Sequence, residues 1–485
     1  MRTGALLTWW IALPACSLTT LDYTECTGNA LCRDAFGLGS VCGQEGFCEG
    51  AEANLRCDET TPPDLLTRPE DHPDVIVFGS LVDRAFDVPV ERAFQLAVVQ
   101  VNQSGGLEQS EFGLVACNYE EDSEIDSFTQ EEAALDIAAY LVDVLGAPLL
   151  LGPSTSGLTG VVWEEVNTSG VVVISPSATS PALTYIDGLE KSDENPGTLW
   201  RTAPPDSLQG RAIAIDLRQL GMTFVAVVRQ DGAYGEGLAQ VFLDAFQDGT
   251  HTAVSYPWGT SAQRDEAVAS ASQSGVEVVM FISSELLDGI AFLNAAAVLS
   301  GYQNVDLLYL TDGAADFGLL EPTSAATHLY AKVRGTRPSL PEGSVYEAFQ
   351  ASYSAAYGDD PVKYAWTAHS YDAAWLGMYG TAWSLLQEGE IVAPGIGRGL
   401  RRLSSGAPID IRPGTWTDVL DAFGDGHGID VTGASGDLDF DPATEETEGP
   451  VDVWVIVEGA VCPPPATICL ETVGTCYPNG VCEYP

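Results

Sequence analysis

Two short runs built only of apolar residues, Leu149-Leu150-Leu151 and Val171-Val172-Val173-Ile174, constrain this chain most. Each run ends in a loop of Gly, Pro, Ser and Thr, and a helix-like segment with Trp163 and Val166 lies between them. A strand with one wet face alternates apolar and polar residues, whereas one buried on both faces reads as a continuous apolar run. The stretch therefore predicts a βαβ unit whose strands are parallel neighbours in a covered sheet. Ligands of open α/β sheets lie beyond the carboxyl ends of the strands, and Ser156 and Thr179 fall in those two loops. Each offers a hydroxyl beside free backbone N–H groups, and a helix starting near Leu158 adds the positive end of its dipole, which suits a carboxylate or phosphate. Capping or turn formation would explain either loop alone. Two adjacent loops of the same kind favour a site.

The same grammar of strand, polar loop, helix and glycine stop runs through the body. Val75 to Phe78 leads through GSLVDRAFDVP into the periodic segment ERAFQLAVVQVNQ, which stops at Gly105-Gly106. A strand near Leu114 to Cys117 precedes the acidic loop NYEEDSEIDS and the helix EEAALDIAAYLVDVLG. The pattern pauses over LWRTAPPDSLQ, the expected first crossing between lobes, and a second series follows: FVAVVRQDGAYGEG with a helix from Gly237 to Phe246, VEVVMFISSELLDG, and DLLYLTDGAADFG. A strand over His328 to Val333 is expected next, then helices in YEAFQASYSAAYG and YAWTAHSYDAAWLGMYGTAWSLL, and a last strand from Val451 to Val457. Strands alternating with helices predict an α/β fold with doubly wound sheets.

The chain's 485 residues, 45% of them hydrophobic, are enough for two or more cored domains. Its 69 acidic and 20 basic residues give a net charge of −49, which disfavours nucleic acid and anionic lipid headgroups as partners. At the N-terminus, Arg2, an apolar run and Leu13-Pro14-Ala15-Cys16 look like a short bacterial lipoprotein signal, with residues 1–15 removed and Cys16 lipidated. An ordinary secretory signal is the alternative, and both place the protein outside the cytoplasm. Apart from Cys16, ten cysteines remain, an even number in two clusters without nearby His, so disulfides rather than zinc are expected. Spacing alone does not give connectivity. Parity suggests that four of Cys26, Cys32, Cys42, Cys48 and Cys57 pair among themselves, that the last four pair in the tail, and that Cys57 reaches Cys117. Residues 16–73 read as a Cys-rich spacer and linker, and 460–485 as a Cys-rich tail.

Several motifs in order carry a resemblance: Asn102-Gln103-Ser104-Gly105-Gly106, Gly152 followed by hydroxyl residues, Ile174-Ser175-Pro176-Ser177-Ala178-Thr179, Arg201-Thr202, Tyr234-Gly235-Glu236-Gly237, and Gly436-x-Leu438-x-Phe440-Asp441. From about Asp74 to Gly459 the chain resembles the type I periplasmic binding proteins, in their leucine/isoleucine/valine-binding branch. The resemblance implies two Rossmann-like lobes joined by crossing strands, lobe 1 from 74–203 and 336–436 and lobe 2 from 204–335 and 437–459, closing on a ligand between them. It implies that Ser156 and Thr179 hold an α-carboxylate, with Ser177 a further ligand-binding residue in the second loop, that the second lobe supplies Tyr234 to bond one end of the ligand and Asp312 to meet its ammonium, and that Phe86 lines the side-chain pocket. The chain departs from the family where Ser283-Ser284-Glu285 replaces an aromatic residue, and where Thr155 leaves no cysteine for a disulfide beside the first hydroxyl loop. Glu285 or Arg84 could reach a polar ligand tail, although a solvated charge is the plainer reading of each.

Catalytic signals are absent. His72, His251, His328, His369 and His427 form no metal-binding spacing, so no metal or other cofactor is expected. Gly152 to Gly157 lacks the Gly-x-Ser-x-Gly spacing of a nucleophile elbow. The acidic loop around Glu120 and Asp122 lacks EF-hand spacing. The expectation is a lipid-anchored, non-enzymatic solute-binding protein that hands an amino acid or relative to an ABC permease. A ligand-sensing receptor or partner-binding scaffold of the same fold is the alternative.

Overall fold

The computed structural model describes residues 25–273, 275–339, 342–459, 462 and 466–484. In the first lobe, Ile76–Val82 lies between Phe112–Asn118 and Leu149–Leu151, and Val172–Ser175 and Leu199–Arg201 follow on the latter side, all parallel. In the second lobe, Phe224–Gln230 lies between Thr252–Trp258 and Val278–Ile282, and Leu307–Leu310 and Val333–Pro338 follow, again all parallel. Each sheet thus adds its second strand on one side of the first and its later strands on the other. That reversal creates a switch point, with a crevice at the carboxyl ends of the two strands flanking it.

Continuous apolar strands are buried as their sequences require: every residue of Ile76–Val82, Leu149–Leu151, Val172–Ser175 and Val278–Ile282 is buried. Helices Val88–Gln103, Gln130–Ala139 and Ser156–Val166 connect strands of the first lobe. Thr367–Trp383, buried along its whole length, packs against Val88–Gln103 and Ala393–Leu400 and returns the late part of the chain to the first lobe's core. The strand expected over His328 to Val333 is instead a 3-10 helix, Ser324–Lys332, and pairing starts only at Val333–Pro338. Ala326, Leu329 and Tyr330 are its buried residues, and that spacing suits a helical turn rather than a strand.

Both ends of the described chain are tied to these sheets. Glu59–Thr61 adds an antiparallel strand to Phe112–Asn118, and Val451–Glu458, Ile468–Cys476 and Cys482–Glu483 extend the second sheet antiparallel. Disulfides join Cys26–Cys42, Cys32–Cys48, Cys57–Cys117, Cys462–Cys469 and Cys476–Cys482, the grouping that parity suggested. Cys16 and the signal-like segment lie outside the described residues. Among the described residues no helix is long and apolar enough to cross a membrane.

Candidate functional site

The two switch points face one another across a cavity of about 280 Å³. From the first lobe come Asp83, Phe86 and Asp87, after strand Ile76–Val82, and Ser154, Thr155 and Ser156, after Leu149–Leu151. From the second come Tyr234, after Phe224–Gln230, Ser284 and Glu285, after Val278–Ile282, and Asp312, after Leu307–Leu310. Of the residues singled out in the sequence, Phe86, Ser156, Ser177, Tyr234, Glu285 and Asp312 line this one cavity. Thr179 is not among the lining residues.

The two hydroxyl loops are laced together. Ser175 Oγ donates to the Pro153 carbonyl at 2.7 Å, Ser177 Oγ to the Ser154 carbonyl at 2.8 Å, and the Ser180 N–H to Ser156 Oγ at 3.1 Å. Gly152 permits the close turn, because a Cβ there would lie 2.5 Å from the Leu81 carbonyl oxygen and its φ of +90° favours glycine. The Thr155 hydroxyl caps helix Ser156–Val166, whose N-terminus opens on the cavity. Thr179 Oγ1 turns the other way and donates to Asp206 Oδ2 at 2.9 Å, while the Asp206 N–H donates to the Thr179 carbonyl at 2.8 Å. Its hydroxyl therefore fixes the crossing into the second lobe. Ser180 joins the lobes directly, its hydroxyl donating to the Ala233 carbonyl at 2.6 Å.

On the opposite wall the Tyr234 hydroxyl donates to Asp312 Oδ1, which also accepts from Gln209 Nε2 at 2.8 Å. Asp312 and the neighbouring Asp206 are both buried, and burial pushes both carboxyls up, with repulsion from Asp312 adding to it at Asp206. Burial, with repulsion from Asp83 and Asp316, pushes Asp87 up to about 6. Glu285 goes up to about 7 through burial and the charges of Asp87, Asp83 and Asp288. Arg84 is turned to Glu91, Asp58 and the Ala116 carbonyl instead of the cavity.

Asp83, Asp87, Tyr119, Ser154, Asp316, Tyr364 and Trp366 also line the site, and sequence reasoning did not single them out. Asp83 and Asp87 had a usable signal, since they bracket Arg84 and Phe86 at the carboxyl end of the first strand. Trp366 had none, being brought in by the helix it precedes. Its φ of +71° is left-handed, a conformation that costs a side-chain-bearing residue about 1–2 kcal/mol.

These carboxyls set a pH dependence for the ligand-free protein. Asp87, Glu285 and Asp372, the last buried and pushed up to about 7, have folded-state values above their ordinary 3.8, 4.5 and 3.8. The folded state therefore holds more protons than the unfolded state, and stability falls as pH rises from about 4, where the unfolded carboxyls ionise, until the folded ones have ionised above about 7. His72, raised by Glu111 and Asp64, has the same sign, whereas His369, pushed down to about 4 by burial, opposes them only once the unfolded chain's His begins to protonate near 6.5. Thermal unfolding should accordingly give a higher Tm at pH 6.5 than at pH 8, with a flatter slope in Glu285→Gln. A Tm that is equal or higher at pH 8 would contradict this electrostatic account.

Residues 89–457 match the family model described as the receptor family ligand binding region. The Leu/Ile/Val-binding protein homolog 3 of Brucella melitensis is 29% identical over 200 residues, which are 41% of this chain and 50% of that relative, so the match spans half of its length. The chemotactic signal transduction system substrate-binding protein BasB of Halobacterium salinarum is 25% identical over 377 residues, 74% of this chain and 80% of that one. The fold is similar to that of the leucine-binding protein LivK of Thermotoga maritima, with a TM-score of 0.62 at 16% identity over 84% of this chain and 100% of that chain. The chain belongs to the receptor-family ligand-binding region and has the fold of a type I periplasmic binding protein.

Proposed function

We propose that the protein is an extracytoplasmic solute-binding lipoprotein, anchored through Cys16, that closes its lobes on an amino acid or relative and passes it to an ABC importer without chemistry. The observation that carries this reading is the meeting of two switch points around one cavity, with hydroxyls and a helix N-terminus on one wall and a buried carboxylate on the other. Ser156 and the loop N–H groups take the carboxylate, with Ser177 bracing the second loop through the Ser154 carbonyl, while Tyr234 and Asp312 take the ammonium. Phe86 covers apolar carbon, and Glu285 meets the tail. Thr179 acts at one remove, by holding Asp206 and its own loop.

Asp312→Ala leaves a ligand ammonium unpaired and should weaken binding by about 2–5 kcal/mol, as truncated buried charge pairs do. The test is mass spectrometry of the co-purified solute, followed by calorimetry on wild type and variant with that solute and a panel of amino acids. A solute without an amine, or undiminished binding by Asp312→Ala, sinks the reading. The family description as a receptor region, and the likeness to a protein named for chemotactic signalling, favour ligand sensing as the second reading. A neighbouring permease and ATPase genes would argue for import, and their absence for sensing.

A further inference from the structure

The charge of the cleft is one-sided. Asp83, Asp87, Glu285, Asp312 and Asp316 line it, with no Lys, Arg or His among the lining residues. A zwitterion needs one carboxylate, which Asp312 supplies. The remaining acids gather at the Phe86 end and come from both lobes. Asp83 accepts from the Ala85 N–H at 3.0 Å and Gln130 Nε2 at 2.9 Å, and Asp87 accepts from Ser154 Oγ at 2.7 Å. These are neutral donors that leave the negative charge unmatched. The Glu285 carboxylate has no hydrogen-bond or ion-pair partner among the described residues; the residue's bonds are made by its backbone, the N–H to Ser283 Oγ and the carbonyl from the Asp288 and Gly289 N–H groups. Behind Asp312, the 1% exposed Asp206 keeps Oδ1 without a partner. Unmatched carboxylates held together in a partly buried cleft are unfavourable until a cation joins them.

Aromatic faces complete the setting. Phe86, Tyr119, Tyr364 and Trp366 line the same cavity, and ring faces attract ammonium and guanidinium groups. A small metal ion fits poorly. Among the described residues the clustered trio of potential metal donors is Cys26, Cys32 and Cys42, and all three sulfurs are in disulfides.

We propose that the solute carries a second cationic group, an ammonium or guanidinium, seated between Asp83 and Asp87 of the first lobe and Glu285 of the second and walled by Phe86, Tyr119 and Trp366. The inference rests on the reading of the cleft as a solute site and specifies its chemistry: an organic solute with two nitrogen cations. Because the acids come from both lobes, the second cation also offsets the repulsion between them, so it favours the closed form.

The test is calorimetry on the whole protein with lysine, ornithine and arginine, with norleucine as an uncharged match for the lysine tail, and with putrescine and cadaverine. A basic amino acid should bind at least about tenfold more tightly than norleucine, the size of one charge-assisted contact. Glu285→Gln and Asp87→Asn should each move the lysine-to-norleucine ratio towards one, and a thermal melt of each variant checks its fold. The wild-type comparison depends on no variant. Norleucine or leucine binding as tightly as lysine overturns the second cation and leaves the solute-binding reading intact. Diamines binding in preference to all amino acids support the second cation and overturn the carboxylate half of that reading. No binding of any probe at millimolar concentration overturns both.

Discussion

Arg201→Met should destabilise the protein by about 3–5 kcal/mol, the cost of breaking a buried ion pair from one side. Arg201 is 1% exposed and sits at the end of strand Leu199–Arg201. Its Nε and Nη2 donate to the Glu446 carboxylate, its Nη1 to the carbonyls of Ala178 at 3.0 Å and Ser180 at 2.8 Å, and its Nη2 also to Thr184 Oγ1 at 3.2 Å. One guanidinium therefore holds the second hydroxyl loop, the strand that leads to the crossing, and the late segment around Glu446. The planar fork matches that set of acceptors; Lys would offer a single ammonium and is no conservative replacement. Methionine fills the space but leaves Glu446 buried without a countercharge and the Ala178 carbonyl without its donor, while the Ser180 carbonyl keeps the Leu183 N–H. Urea unfolding measures the loss. Glu446→Met in the same chain should restore part of it, since removing both charges is milder than stranding one. A loss below about 1 kcal/mol for the single variant, within the range of an exposed pair, would show that the guanidinium is not the tie described.

Where the sequence was legible, strong local pattern made it so. Leu149 to Leu151 and Val172 to Ile174 had to be doubly covered strands, and the loops after them had to open at one end of the sheet. Ser156 and Thr179 shared a residue type and a loop position, yet they behave differently: Ser156 lines the cavity and Thr179 Oγ1 donates to Asp206. Nothing in the string SATSP states which way a hydroxyl turns, because its direction depends on an acceptor in the crossing segment, and Asp206 attracted no notice within LWRTAPPDSLQ. The acidity of the cleft was hidden for another reason. With 69 acidic residues in the chain, Asp83 and Asp87 look like two more solvated charges until Glu285 is brought opposite from the second lobe. Glu285 was noticed because it stands where an aromatic residue was expected, so the departure from pattern carried information that the pattern did not.

Removal of the Cys57–Cys117 disulfide is expected to cost about 4 kcal/mol. The bond spans a sequence separation of 60 residues, and closing a loop of that length removes about this much free energy from the unfolded chain on the chain-entropy model. It ties the segment before Glu59–Thr61 to the edge of the first sheet, where burial and hydrogen bonding agree with a structural role. Cys57 and Cys117 are buried, as are Arg56 and Leu65. Arg56 grips the Asp126 carboxylate through Nε and Nη2, at 2.8 and 2.6 Å, and the Glu120 carbonyl through Nη1 at 2.8 Å. The same edge runs directly into the site: Asn118 Oδ1 accepts the Arg84 N–H at 3.1 Å, and the next residue, Tyr119, lines the cleft. Loss of the bond should therefore loosen the floor beneath Phe86 and Asp87 as well as lower stability. The double variant Cys57→Ala/Cys117→Ala, followed by urea unfolding, separates this bond from Cys26–Cys42 and Cys32–Cys48. Each of those spans only 16 residues within the N-terminal module, and the corresponding variants should leave the unfolding of the body almost unchanged. An unfolding midpoint for Cys57→Ala/Cys117→Ala equal to that of the wild type would mean that the noncovalent contacts of Arg56, Leu65 and Glu59–Thr61 suffice to hold this edge.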